Sequence, residues 1–159
     1  MIKYGCTLIA VKDMAASRKF YEDLFGLKVT LDLGLNIAFD CGLALQAEFT
    51  NLMGISSDTI SFEKTNNFEL YFEEENLDEF LNHLNNYSKI EYVHPVKKYP
   101  WGQRVIRFYD LDNHIIEVGE SMCSVIRHFL EEGLTVEETA KRTQHPIGFV
   151  KGCIDNNNI

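Results

Sequence analysis

Three things are missing from this sequence, and each absence closes off a class of function. There is no long apolar run: the N-terminal stretch MIKYGCTLIAVKDM carries only about six apolar residues before a charge, too few for a signal peptide or a membrane span. There is no Cys-x-x-Cys pair among the four cysteines Cys6, Cys41, Cys123 and Cys153, so neither a zinc ribbon nor a thioredoxin-like redox motif is present. There is no excess of basic charge. With 15 Lys and Arg against 24 Asp and Glu, the net charge of −9 argues against a phosphate-backbone partner, whose affinity rests on clustered cations. These absences imply a soluble cytoplasmic protein with reduced thiols, and with neither nucleic acid nor membrane as partner.

What is present suits a folded domain. The 159 residues are 45% hydrophobic and 25% charged, enough apolar material for a real core. Gly5–Val11 reads as a strand. Asp13 stands where a helix N-cap belongs, Met14, Phe20, Tyr21 and Leu24 recur at helical spacing, and Gly26 follows as the terminator. Strand-like segments follow at Leu27–Leu33, Asn36–Asp40 and Leu43–Phe49, separated by Gly34 and by Cys41-Gly42. Residues 50–67 are polar and turn-rich, a linker with one helical turn. The pattern then restarts: a strand at Phe68–Phe72, an N-cap at Asn76, an apolar stripe of Leu77, Phe80, Leu81 and Leu84, then strands at Ile90–Val93, Arg104–Tyr109 and His114–Gly119.

Both stretches therefore read β-α-β-β-β, and the spacing supports a repeat. Cys6 precedes the cap Asp13 by seven residues, and Glu69 precedes the cap Asn76 by seven. Gly42-Leu-Ala-Leu-Gln46 matches Asn113-His-Ile-Ile-Glu117 in length and apolar pattern. Cys6 to Gln46 spans 40 residues and Glu69 to Glu117 spans 48, which places the extra eight in a loop around His94–Gln103.

The segments VKDMAASRKFYEDLFGLKV, FELYFEEENLDEF and WGQRVIRFYDLDNHIIEVGE resemble the signature stretches of the vicinal-oxygen-chelate family, which includes glyoxalases, bleomycin-resistance proteins and extradiol dioxygenases. The resemblance covers roughly residues 1–120. It implies an α+β fold of two βαβββ modules (1–50 and 67–120) forming a half-open curved barrel, with residues 121–159 as a helical C-terminal extension. It further implies a small-molecule substrate or ligand, a homodimer and a divalent metal (Ni, Zn, Mn, Fe or Co). Carried over residue by residue, the metal positions are Cys6, Gln46, Glu69 and Glu117. Cysteine at the first position departs from the usual His, Gln or Glu.

Each of these four has a plain reading beside the functional one. Glu117 interrupts an apolar strand, and a lone inward carboxylate is costly unless paired or metal-bound; an outward Glu117 would simply be solvated. Glu69 shares a strand face with Tyr71 but lies next to the acidic run Glu73–Glu75. Gln46 suits an oxygen ligand or a buried amide bonded to backbone. Cys6 suits a buried core thiol better, because a thiolate favours softer metals than oxygen donors do. If a metal binds, the chemistry implied is proton abstraction next to a carbonyl or related lyase, isomerase or dioxygenase chemistry, with Glu117 or Glu69 as the base. The alternatives are a metal-free binding protein of the same fold, as in resistance by sequestration, and a ligand-sensing regulator. The Tyr99–Gln103 loop, Arg104 and Arg107 either shape the pocket mouth or lie on the surface. His94, His114 and His128 lack zinc-site spacing and read as ordinary histidines.

Beyond residue 120, an amphipathic helix over Ser124–Leu130 ends at Gly133. Thr135 and Glu138 form a capping box, and Pro146 opens a third helix. The arrangement faintly resembles a helix-turn-helix, but the third helix offers a single lysine, so packing against the barrel or a second subunit is the expectation.

Overall fold

The computed structural model describes residues 1–155 and resolves them into two compact units. The first comprises residues 1–68 together with the short segment Asp110–His114, and the second the remaining described residues. The fold class is α+β: each unit carries one four-stranded mixed sheet of the same strand order, and helices follow at the C-terminus.

In the first unit, β1 (Thr7–Ala10) leads into α1 (Met14–Phe25), followed by β2 (Val29–Asp32), β3 (Asn36–Phe39) and β4 (Leu43–Gln46). The sheet order is β1-β4-β3-β2, with β1 and β4 parallel and the other pairs antiparallel. Asp13 caps α1 by accepting the Ala16 amide at 3.0 Å, and Gly26 ends it at φ +64°. The helix buries Ser17, Phe20, Tyr21 and Leu24, the i, i+3, i+4, i+7 stripe that its sequence spacing predicts. The expected strand Leu43–Phe49 stops at Gln46, because Glu48 takes a left-handed φ of +50° and Phe49 opens a short helix, α2 (Phe49–Met53).

The DLDNH turn ties itself to α1. Asp110 accepts from the Tyr21 hydroxyl at 2.7 Å and from His114 Nδ1 at 2.8 Å, while Asp112 accepts the Lys12 amide at 3.1 Å and the Ser17 hydroxyl at 3.2 Å. Burial pushes the Tyr21 hydroxyl pKa well up, and neighbouring Asp110 adds to it, so this phenol stays a donor at any ordinary pH. Tyr21→Phe is expected to cost about 1–3 kcal/mol, because a buried carboxylate loses a donor without gaining solvent. Urea unfolding followed by circular dichroism measures it; a loss under about 0.5 kcal/mol would mean the bond contributes nothing net.

The second unit repeats the topology with β5 (Glu69–Glu74), α3 (Leu77–Leu84), β6 (Tyr92–Lys98), β7 (Arg104–Tyr109) and β8 (Ile115–Glu120), in the order β5-β8-β7-β6. Asn76 caps α3, whose buried Leu77, Phe80 and Leu84 meet a strand core that includes Phe108, its ring 6.4 Å from that of Phe80. One strand differs from expectation. The second strand of this unit is expected at Ile90–Val93 with a long loop after it, yet β6 runs to Lys98 and the loop is only 99–103. Pro95 hid the strand. β6 is a sheet edge with two register shifts, and an edge strand tolerates a proline because one side of its backbone has no partner to bond.

Three helices follow: α4 (Met122–Glu131), α5 (Val136–Thr143) and α6 (Ile147–Asp155). Ser121 caps α4, starting it two residues ahead of the expected Ser124, and the Thr135–Glu138 capping box of α5 is complete in both directions. Their shared core is Ile126, Ala140, Val150 and Cys153. Here the expectation of four reduced thiols is corrected for one pair: Cys123 and Cys153 form a disulfide across α4 and α6, with Cα atoms 5.0 Å apart. Thirty residues separate them in sequence, and only the packing of the two helices brings them together. Cys6 and Cys41 are free and exposed. No helix among the described residues is long and apolar enough to cross a membrane.

Candidate functional site

The second sheet carries a polar row across all four strands. Strand register aligns Tyr71 (β5) with Glu117 (β8), Glu117 with Arg107 (β7), and Arg107 with His94 (β6). Strand alternation puts Glu69 on the same face, two residues before Tyr71. This row, with a buried carboxylate at its middle, is the candidate site.

Arg107 is the centre of the row. Its Nε donates to Glu69 Oε2 at 2.8 Å, its Nη1 to the Tyr99 hydroxyl at 2.7 Å and to His94 Nε2 at 3.3 Å, and its Nη2 is paired with Glu117 Oε2. Since His94 Nδ1 lies 2.7 Å from the Pro95 carbonyl, the partners assign the neutral ring with its proton on Nδ1. Burial by itself would lower the Arg107 pKa; the bonds to Glu69 and Tyr99 outweigh that and hold it above its ordinary value, so the guanidinium is permanently charged. Glu117 is buried, with a residue exposure of only 7%, whereas the Glu69 side chain is 40% exposed. The buried member depends on the guanidinium more.

Beside this row, Tyr99 and Trp101 stack with ring centroids 4.6 Å apart. Gln103 locks them to the sheet: its Oε1 accepts the Trp101 indole N–H at 3.0 Å, and its Nε2 donates to the Tyr71 hydroxyl at 3.0 Å and the Glu120 carbonyl at 2.9 Å. Gly119 makes room for that amide, since a Cβ there would sit 2.7 Å from Gln103 Nε2. The Tyr71 hydroxyl pKa is raised, chiefly by burial, and the hydroxyl donates to Glu73 at 3.0 Å.

The other two candidate residues lie in the first unit. Gln46 is buried in β4; its Nε2 donates to the Ala47 carbonyl at 2.7 Å and its Oε1 accepts from Asn36 at 3.0 Å. Its amide is therefore satisfied by local partners. Cys6 precedes β1 and is exposed, which corrects the reading of it as a buried core thiol.

Glu69 and Glu117 share one cation, and that cation is a side chain of this protein. As they stand they do not fit a divalent ion. The guanidinium already compensates both carboxylates, so a dication there would have to compete with a fixed positive charge. Among the described residues no group of three or more His, Cys, Asp and Glu is placed to hold a metal ion. Arg107 is the residue that sequence reading left undecided. The signal was available: the Asp110–His114 turn fixes the β7–β8 register, and counting outward from it sets position 107 opposite 117.

Comparison with known proteins supports the same fold. The model of the glyoxalase-like domain matches residues 4–123. A crystal structure of a protein of unknown function from Agrobacterium tumefaciens is 34% identical, with a TM-score of 0.67 over 76% of this chain and 95% of that one. A lactoylglutathione lyase from Agrobacterium tumefaciens is 24% identical, with a TM-score of 0.56 over 72% of this chain and 90% of that one. The fosfomycin resistance protein FosX of Listeria monocytogenes is 21% identical, with a TM-score of 0.54 over 76% of this chain and 94% of that one. No curated protein matches the chain.

Proposed function

The chain belongs to the glyoxalase-like domain family, and within it we propose that this member binds a small organic molecule on the polar face of its second sheet without a resident metal ion. One observation carries the reading: the Arg107 guanidinium pairs with both Glu69 and Glu117, the two carboxylates that a metal ion in this sheet would draw on. The stacked Tyr99–Trp101 pair supplies a flat apolar surface beside a charged row, which is how small-molecule sites combine affinity with orientation. Tyr71, Gln103 and His94 add neutral donors and acceptors around it.

A second reading keeps the chain as a metal-dependent lyase, isomerase or dioxygenase, with Gln46, Glu69, Glu117 and Cys6 as ligands and Glu117 or Glu69 moving the proton. What favours it is that Glu69 and Glu117 lie on one face of paired strands and already converge on a positive charge. It requires Arg107 to leave. On the first reading Cys6 is a spectator, exposed and ahead of its strand. A cytoplasmic homodimer accompanies the proposal on family resemblance alone, and light scattering checks the second half.

The test uses protein purified without tag or chelator. Elemental analysis is expected to find no stoichiometric metal, and calorimetric titration with manganese, nickel and zinc no binding. A panel of small organic molecules is then screened by fluorescence of Trp101, the chain's only tryptophan. A saturable signal that Tyr99→Ala abolishes supports the proposal. Stoichiometric metal held with micromolar affinity, unchanged in Cys6→Ala, overturns it in favour of the enzyme.

A further inference from the structure

A second cavity, of about 370 Å³, lies where the edge of the second sheet meets α4. Its walls carry three permanent cations, Lys98 from β6, Arg104 from β7 and Arg127 from α4, against two carboxylates, Glu120 and Glu131. Glu75 and Asp78 pair with Arg127 and Arg104 from just outside the lining. The convergence of three cations on one cavity, in a chain whose net charge is −9, is the first sign of an anion site.

The cations are not equivalent. Arg104 is spent: it donates to Glu120 at 2.8 and 2.6 Å and to Asp78 at 2.9 and 3.1 Å. Among the described residues Arg127 uses only Nη2, on Glu75, which leaves the donors on Nε and Nη1 unengaged by them. Lys98 makes no side-chain bond among the described residues and is exposed. Of the carboxylates, Glu120 is the one that Arg104 neutralises, and Glu131 is exposed. The charge without a partner among the described residues is therefore that of Lys98, while Arg127, paired with Glu75, keeps free N–H donors.

The floor is apolar. Phe129 and Val125 line it, and the Phe129 ring sits directly on Gly102, where a Cβ would lie 2.4 Å from its Cζ. Gly102 also holds a φ of +100°, so any other residue would be strained there as well as displacing the ring. The cavity thus has a flat apolar base and unspent donors on its walls. The family match ends at residue 123, so Arg127 and Phe129 come from outside the matched domain.

We propose that this cavity is a second ligand site, for a small organic anion whose acidic group is received by Lys98 and Arg127 and whose apolar body lies on Phe129 and Val125. A phosphate, phosphonate or carboxylate head satisfies the donors equally, since each offers oxygens to Lys and Arg. The proposal does not rest on the reading of the Arg107 face, although Trp101 packs against the Val125 and Phe129 floor.

The probe is phenyl phosphate, titrated into the intact oxidised protein and followed by amide chemical shifts, with inorganic phosphate as the head-group control. Saturable shifts are expected at Lys98, Gly102, Arg127 and Phe129, with inorganic phosphate weaker by at least about tenfold, because it leaves the apolar floor uncovered. Lys98→Ala should weaken phenyl phosphate by about tenfold, equivalent to about 1.4 kcal/mol. Arg127→Gln tests the other wall. Since that change also removes the pair with Glu75, Arg127→Lys is run beside it, and a partial recovery of affinity with an unchanged fold supports the assignment. The proposal is overturned by the absence of saturable shifts, by equal binding in the Lys98→Ala and Arg127→Gln proteins, or by shifts that cluster around Arg107 and Trp101 instead. Equal affinity for the two phosphates would likewise overturn the apolar half of the site.

Discussion

Arg107→Met is expected to destabilise the protein by about 3 kcal/mol, and to make it respond to divalent cations that leave the wild type unmoved. The magnitude follows from what the guanidinium does. It compensates a carboxylate, Glu117, that is almost wholly buried and faces a second carboxylate, Glu69, on the neighbouring strand. Removing one partner of a buried ion pair costs about 3–5 kcal/mol, and the lower end applies because the Glu69 side chain is 40% exposed and can turn toward water. Methionine retains most of the arginine's apolar stem, so packing loss stays small. Manganese or zinc should then recover part of the lost stability by binding the vacated carboxylate pair, since a ligand that binds only the native state stabilises it. Urea unfolding with and without manganese measures all of this. A variant as stable as wild type would show that the ion pair contributes nothing, and one that ignores manganese would show that the carboxylates cannot act as a metal pair.

That residue also marks where sequence reading stopped. Caps and turns were legible because their chemistry is local: Asp13, Asn76 and the Thr135–Glu138 box each satisfy amides within three residues, and Gly26 supplies a left-handed turn. Topology was legible because two copies of one pattern had to fold alike. Glu69 and Glu117 could be singled out as polar residues in apolar strands, but not their partner. Arg107 sits in RVIRFY, where Arg104 stands three residues away with an identical side chain. Strand register sends the first to Glu120 and Asp78 and the second to Glu69 and Glu117, so the same residue type does two different jobs. Pro95 misled for a different reason, since a residue that forbids an interior strand is harmless at an edge.

The Cys123–Cys153 disulfide was invisible for a third reason: helix packing, not spacing, brings its ends together. Its reduction is expected to cost the C-terminal helices about 3–4 kcal/mol, the chain-entropy value for a closed loop of roughly thirty residues. The sequence separation is 30, and the loop contains all of α5 and the turns on both sides of it. The core that would have to hold those helices without the bond is small: Ile126, Ala140 and Val150, with Cys123, Leu130 and Val136 partly buried around it. Cys153 is itself in that core, 2% exposed, so reduction leaves its thiol packed there and removes only the covalent link. The double variant Cys123→Ser, Cys153→Ser should be worse than reduction, because it also places a hydroxyl in an apolar cluster. Unfolding of oxidised, reduced and doubly substituted protein in urea separates the two effects. Oxidised and reduced forms of equal stability would show that helix packing alone carries the appendage, and would leave the protein indifferent to the redox state of the compartment it occupies.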